Sequence, residues 1–166
     1  MSDRTHHTAA SQGLYTPEQR ARRDATIWTP VQGVLAPLQF VVFLISLVLV
    51  IRYLMTGAGY EVATVSIVIK TGVLYVIMIT GAIWEKIVFG QYLLAPAFFW
   101  EDVFSFLVIG LHTAYLWALF TGALAPQALM FLALAAYGTY VINAAQFILK
   151  LRAARLQAAT PIEATA

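Results

Sequence analysis

The pattern of apolar and polar positions divides the chain into a polar start, four long apolar stretches and a short polar end. The four stretches cover residues 31–55, 62–84, 103–120 and 127–149. A helix needs about 20 apolar residues to cross a bilayer core, so we interpret each stretch as a membrane span. Short connections after the first and third stretches favour antiparallel neighbours. The pattern predicts an all-α integral membrane protein, a four-helix up-down bundle.

The polar start contains a disordered leader and then a short helix. Residues 1–13 have no apolar periodicity, which predicts disorder. Thr16, Pro17 and Gln19 have the spacing of an N-terminal capping box with proline in the first turn. Three arginines and the terminal Trp28 make the following helix basic with an aromatic end, which predicts an interfacial helix. We expect one membrane domain over residues 14–156 and a flexible tail over 157–166.

The segment between the second and third spans, residues 85–102, is apolar and aromatic but interrupted by Gly90 and Pro96. It is too short to cross a bilayer, and glycine and proline break regular structure. We interpret it as an interfacial or re-entrant segment.

Composition and charge agree with a membrane protein and limit its partners. The chain is 61% hydrophobic and 11% charged, whereas soluble domains are about 45–50% apolar and about 25% charged. A net charge of +2 is too small to indicate a nucleic-acid partner. An even number of crossings places eight basic residues on one side, which predicts cytoplasmic termini. These residues are Arg4, Arg20, Arg22, Arg23, Lys86, Lys150, Arg152 and Arg155.

Three carboxyl groups form the strongest candidate site. Glu85 ends the second span, and Glu101 and Asp102 begin the third, so antiparallel packing can bring them to one depth. Carboxyls that are close together beside an apolar wall can differ in protonation, which is what acid/base chemistry requires. The alternative for Glu101 and Asp102 is stabilisation by the helix dipole alone.

Lys70 and His112 are ionisable residues inside spans. A charge at this depth is costly, so Lys70 is expected to face the bundle interior in a functional role; snorkelling or simple pairing is the alternative. His112 can form an interhelical hydrogen bond or act as the single axial ligand of a macrocycle's metal. No HxxxH or ExxH pattern occurs in the spans, so a metal held by the protein alone is not expected.

Two amides lie three residues apart on the fourth span. Asn143 and Gln146 therefore share a helix face, where amides either join helices or bind carbonyl groups of a ligand. Gln39 in the first span has the same two interpretations.

Long strings of the chain closely resemble the 3-vinyl bacteriochlorophyllide hydratase family of photosynthetic bacteria. The strings are YTPEQRARRDATIWTPVQGVLAPLQF, SIVIKTGVLYVIMITGAIWEKIVFGQYLLAPAFFWEDVFSFLVIGLHTAYLWALFTG and YGTYVINAAQFILKLR. The similarity runs from about residue 14 to residue 156. The resemblance implies a membrane enzyme of bacteriochlorophyll synthesis, a hydro-lyase that adds water to the C3 vinyl group to form a 1-hydroxyethyl group. It further implies the inner membrane of a photosynthetic bacterium.

Residue roles for that reaction follow from placement, since the resemblance supplies none. Glu101 is expected to protonate the vinyl group, and Asp102 or Glu85 to activate water and stabilise the cation. His112 is expected to bind the substrate's magnesium, and Trp100 with neighbouring aromatics to cover the ring. Lys70, Asn143 and Gln146 are expected to contact substrate oxygens. The expected substrate-binding residues are thus His112, Trp100, Lys70, Asn143 and Gln146.

Hydration transfers no electrons, so no dissociable cofactor is expected, and magnesium belongs to the substrate. The expected partners are the pigment substrate, water and the lipid bilayer, with other pigment-synthesis enzymes or a second copy of the chain as further candidates. A carrier that holds the tetrapyrrole without changing it is the main alternative function. A transporter is disfavoured because the first span has no acidic residue.

Overall fold

The computed structural model describes residues 14–159, and its regular secondary structure in that range is helical throughout, as predicted. The expected leader and the end of the expected tail, residues 160–166, lie outside the described residues. The helices are α1 (Pro17–Ala25), α2 (Trp28–Thr56), α3 (Tyr60–Phe89), α4 (Phe99–Thr121) and α5 (Pro126–Ala159).

Helix α1 begins as the sequence predicts and ends earlier than predicted. The Thr16 hydroxyl accepts from the Gln19 backbone, and the Gln19 side chain accepts from the Thr16 backbone, so the capping box is confirmed. Extended backbone at Thr26 ends the helix, and Trp28 instead begins α2. Helix α1 packs against α3, which places it beside the candidate site.

Helices α2 to α5 are long and apolar enough to cross a membrane. Large apolar side chains such as Met55 and Phe120 are about four-fifths exposed on their outer faces, as suits contact with lipid. Pro37 lies inside α2, which continues on both sides of it. Because α3 extends to Phe89 and α4 starts at Phe99, only residues 90–98 of the expected interfacial segment lie outside helices.

The four long helices associate as two closely packed pairs, α2 with α3 and α4 with α5. The contacts between the two pairs are fewer. Where they meet, Phe43 of α2 packs its ring against Tyr137 and Tyr140 of α5 at 5.4 and 5.0 Å. Buried polar side chains also lie where the pairs meet. The fold thus concentrates its polar groups along the junction of two apolar hairpins.

Candidate functional site

The carboxyl groups of Glu85 and Asp102 meet where α3 ends and α4 begins. The two side chains are 5% and 3% exposed, and the adjacent backbone N–H groups of Leu94 and Ala95 each reach an oxygen of one of them, so the two carboxyls lie close together. Two ionised carboxylates have no proton to place between them, so a hydrogen bond between the groups requires that one be protonated. Asp102 lies in the first turn of α4, where the helix dipole favours a negative charge, whereas Glu85 lies in the last turns of α3, where it does not. The helix dipoles therefore favour Glu85 as the protonated member of such a pair.

The connection of residues 90–98 turns its backbone toward both acids. The Leu94 N–H donates to Asp102 Oδ2 at 2.6 Å, and the Ala95 N–H is 3.4 Å from Glu85 Oε2. Leu94 has a φ of 60°, a left-handed conformation that leucine adopts only at a cost. Gly90, with φ 87°, ends α3 at no such cost. The connection therefore holds the acid pair with backbone donors. One of these donors, the Leu94 N–H, belongs to the residue whose backbone is strained.

Glu101 points to a different partner from its neighbour Asp102. Lys150 of α5 donates to Glu101 Oε2 at 2.6 Å, and the Glu101 side chain is 8% exposed. Nearby, Asn143 Nδ2 donates to the Ser105 hydroxyl at 2.8 Å, and that hydroxyl donates to the Glu101 carbonyl at the same distance. As a member of an ion pair, Glu101 is a carboxylate with no proton to give.

An aromatic cluster covers this end of the bundle. We define it as Tyr15, Trp84, Phe89, Phe98 and Phe147, whose rings contact one another with centroids 5.8 to 6.5 Å apart. Burial raises the pKa of the Tyr15 phenol above its usual range, partly opposed by the nearby guanidinium of α1. The cluster provides an apolar surface beside the acids, of the kind that a flat conjugated ring would contact.

Lys70 and His112 form a separate group deeper in the bundle. Lys70 Nζ donates to His112 Nε2 at 2.9 Å, and His112 Nδ1 donates to the Val108 carbonyl at 2.8 Å. Both residues are fully buried, so the snorkelling alternative for Lys70 is wrong. Tyr137 packs against the His112 ring, and its hydroxyl hydrogen-bonds to Ser46 at 2.6 Å. Both imidazole nitrogens are occupied in this arrangement, which leaves neither free for a metal.

Buried amide atoms without partners lie along the same junction. Neither polar atom of the Gln39 side chain has a hydrogen-bond partner among residues 14–159, and Gln39 is 2% exposed. The side-chain oxygens of Asn143 and Gln146 are also buried without one in this range. Buried polar atoms are rarely left unsatisfied unless something else binds them. The junction therefore contains acceptors and donors that a ligand can satisfy.

The chain matches the family model for 2-vinyl bacteriochlorophyllide hydratase over residues 15–153. It belongs to this family. A hydratase of that name from Rhodobacter capsulatus is 74% identical over 148 residues, covering 89% of this chain and 85% of the relative. Another from Cereibacter sphaeroides is 72% identical over 153 residues, covering 92% and 94%. No solved structure matches the chain. The family resemblance seen in the sequence is thus confirmed.

In this hydratase family member, the sequence-predicted site residues fall into three places. Glu85 and Asp102 are together, Glu101 is beside them but paired with Lys150, and Lys70 with His112 is about three helical turns away along α4. Trp100 is 66% exposed and contacts the ring of Phe99, so it faces outward.

Sequence reasoning missed the roles of Lys150, Ser105 and the backbone of Leu94. From the sequence, Lys150 is one of the eight basic residues that predict orientation. Its spacing from Asn143, seven residues or two helical turns, places both on one face of α5 and was the available signal. Nothing in the sequence signalled the left-handed Leu94.

Proposed function

We propose that this chain is the hydratase that converts the vinyl group of a bacteriochlorophyllide or chlorophyllide to a 1-hydroxyethyl group in bacteriochlorophyll biosynthesis. The observation that carries the proposal is family membership, with relatives of that printed name at 72% and 74% identity over most of the chain. The buried pair Glu85 and Asp102 supplies a proton donor and a proton acceptor side by side, as hydration requires.

The reaction proceeds by protonation of the alkene followed by attack of water. Glu85, as the protonated member of the pair, gives its proton to the terminal vinyl carbon. The positive charge then rests on the inner vinyl carbon, where the conjugated macrocycle delocalises it. Water attacks that carbon, and its surplus proton passes to Asp102. Transfer of this proton back across the hydrogen bond between the two acids restores the starting state, so one water is consumed and no electrons move.

Glu101 has a different role from the general acid that its position in the sequence suggested. Because Lys150 holds it as a carboxylate, we assign it the electrostatic stabilisation of the developing cation. The assignment of the acid to Glu85 instead follows from its position at the end of α3 and its contact with Asp102.

The macrocycle is proposed to lie along the junction of the two helix hairpins. The aromatic cluster covers one end of it, and the unpartnered amide oxygens of Asn143 and Gln146 reach the oxygens of its polar edge through bridging water. Trp100 is on the outer surface, so its contact with the ring stays a prediction. His112 is proposed to position Lys70; it can bind the substrate's magnesium only after releasing that contact. No dissociable cofactor is proposed.

We further propose that α2 to α5 cross the inner membrane alternately, with both termini in the cytoplasm. The contacts between α2 and α3 support this because they run in opposite directions along the two helices. Gln32, near the start of α2, contacts Thr80, near the end of α3, whereas Ser46, further along α2, contacts Ser66, near the start of α3. The basic residues at the acid end favour the cytoplasmic side. Helix α1 and residues 90–98 are proposed to lie at that interface. Self-association and docking to other pigment enzymes stay predictions.

The test is to incubate membranes that contain the chain with a 3-vinyl chlorophyllide in isotopically labelled water. We expect a product heavier by one water, with the ¹⁸O of labelled water in the new hydroxyl. In D₂O, one deuterium should appear in the new methyl group. Membranes without the chain, and membranes with the Glu85→Gln, Asp102→Asn double variant, are the controls. Bound but unchanged pigment with the folded native chain would support the carrier function instead.

A further inference from the structure

Lys70 is a buried amine whose described contacts are all with neutral groups. Its ammonium donates to His112 Nε2 and lies over the rings of Tyr140 and Tyr137, 4.2 and 5.4 Å from their centroids. Within residues 14–159 no carboxylate forms an ion pair with it, whereas Lys150 has Glu101. An ammonium has three N–H bonds, and His112 accepts from one. A buried charge of this kind normally has a partner of opposite sign.

Gln39 of α2 is a second buried polar side chain that lacks hydrogen-bond partners among the described residues. Phe43 packs against Tyr140, whose ring lies under the Lys70 ammonium. Gln39 is one helical turn before Phe43, on the same face of α2 and on the side of Phe43 toward the Glu85 end of the bundle. Its buried amide has a free donor and a free acceptor within the described part of the chain. Two hydrogen-bond donors, one of them charged, are therefore available along this part of the junction.

We propose that Lys70, assisted by the Gln39 amide, binds the propionate carboxylate of the substrate and so selects the free acid over its ester. The inference rests on the proposed function, because it takes the macrocycle as the ligand. From Asp102 to His112 is ten residues of α4, about 15 Å at the helical rise. The vinyl group and the propionate leave the macrocycle at different rings, and the proposal places the first at the acid pair and the second at Lys70.

The selectivity follows from charge and solvation. A carboxylate transferred from water into the bundle loses its hydration and needs a cation as compensation, which Lys70 provides. An ester at the same place has no charge and forms only a neutral hydrogen bond, while Lys70 stays without an anion. Lys70 thus makes binding of the free acid favourable at a depth where the lipid alone would exclude it.

The experiment compares a 3-vinyl chlorophyllide with its propionate methyl ester in the native chain and in Lys70→Met. We expect the native chain to favour the free acid by at least tenfold in kcat/KM. In Lys70→Met the ratio should fall toward one, mainly through a higher KM for the acid. Lys70→Arg should restore part of the preference. Arg52→Met, which removes an exposed basic residue of α2, is the matched control and should keep the native ratio.

Two results would overturn the proposal that Lys70 binds the propionate. One is a native chain that uses acid and ester equally, and the other is a Lys70→Met protein that hydrates the ester and keeps the full preference for the acid. If Lys70→Met does not fold, the acid-to-ester ratio of Gln39→Met decides, since loss of the assisting amide should lower the ratio that Arg52→Met keeps. Binding of the acid and the ester, followed by their absorbance changes in the native chain, separates the two proposals. If the native chain binds the acid more tightly than the ester but hydrates neither, the hydratase function is refuted and the proposed role of Lys70 in binding the propionate still stands.

Discussion

Nζ of Lys150 lies 2.6 Å from Oε2 of Glu101, which ties the last long helix to the first turn of α4. The neighbouring residue Asp102 instead meets Glu85. Adjacent acids on one helix thus have opposite surroundings, one with a cation and one with a second carboxyl. Two carboxylates in different environments can take different roles, and here the environments assign the proton to the pair that lacks the cation.

Replacing Glu85 by glutamine should lower kcat by at least about 100-fold, since general acid catalysis typically contributes about 10²–10⁴. The amide keeps the size and a hydrogen bond to Asp102 but has no proton to transfer at this strength. Glu101→Gln should lower kcat by less than Glu85→Gln does, because the Glu101 carboxylate is already paired with Lys150 and so contributes less to stabilising the cation. Single-turnover rates with pigment binding measured in parallel test this. A Glu101→Gln loss as large as that of Glu85→Gln would return the acid role to Glu101.

The backbone at Leu94 gives a second prediction. Leu94→Gly should retain activity and be neutral or stabilising by up to about 1 kcal/mol, because glycine adopts φ 60° without strain. Leu94→Pro should reduce activity strongly, since proline lacks the N–H that binds Asp102 and its φ is fixed near −65°. Thermal unfolding and turnover of the two variants are the measurements. Equal turnover in both would mean that the Leu94 N–H does not position Asp102.

The spans and the candidate acids were accessible from the sequence because both depend on composition and position. Apolar length predicts membrane helices, and the ends of successive helices joined by a short connection must be close. Glu85 and Asp102 were therefore foreseeable as neighbours. The N-terminus of α1 was predictable for a similar reason, because the capping box at Thr16 and Gln19 is a local feature.

The partners of individual side chains were not accessible, since they depend on helix rotation. If α4 were turned about its axis by the angle between two successive residues, a different carboxyl would face Lys150. The sequence alone does not fix that angle. For this reason the sequence does not distinguish the surroundings of Glu101 from those of Asp102. The contact of His112 with Lys70 likewise depends on the crossing of α3 and α4, and it occupies the nitrogen that sequence reasoning left free for magnesium.

The hydroxyl of Ser46 should contribute to stability and not to chemistry. It hydrogen-bonds both Tyr137 and Ser66, at 2.6 and 2.7 Å, and so joins α5 to the α2 and α3 pair. Ser46→Ala should destabilise the protein by about 1 to 3 kcal/mol, because the buried Tyr137 hydroxyl loses a partner. Tyr137→Phe should cost less when combined with Ser46→Ala than when added to the native chain. A double-mutant cycle of unfolding free energies measures this coupling.

Replacing Gln39 should have opposite effects on the stability of the protein and on its binding of substrate. Its buried amide has no partner within residues 14–159, so Gln39→Met, which keeps a similar size, should stabilise the substrate-free protein by about 1 kcal/mol. The same change removes a substrate contact and should raise KM for the free acid several-fold. Gln32→Met is the matched control, since Gln32 donates to Thr80 at 2.7 Å and its loss should destabilise instead. If Gln39→Met destabilises as Gln32→Met does, the amide already has a partner in the empty protein, and its assignment to the substrate is wrong.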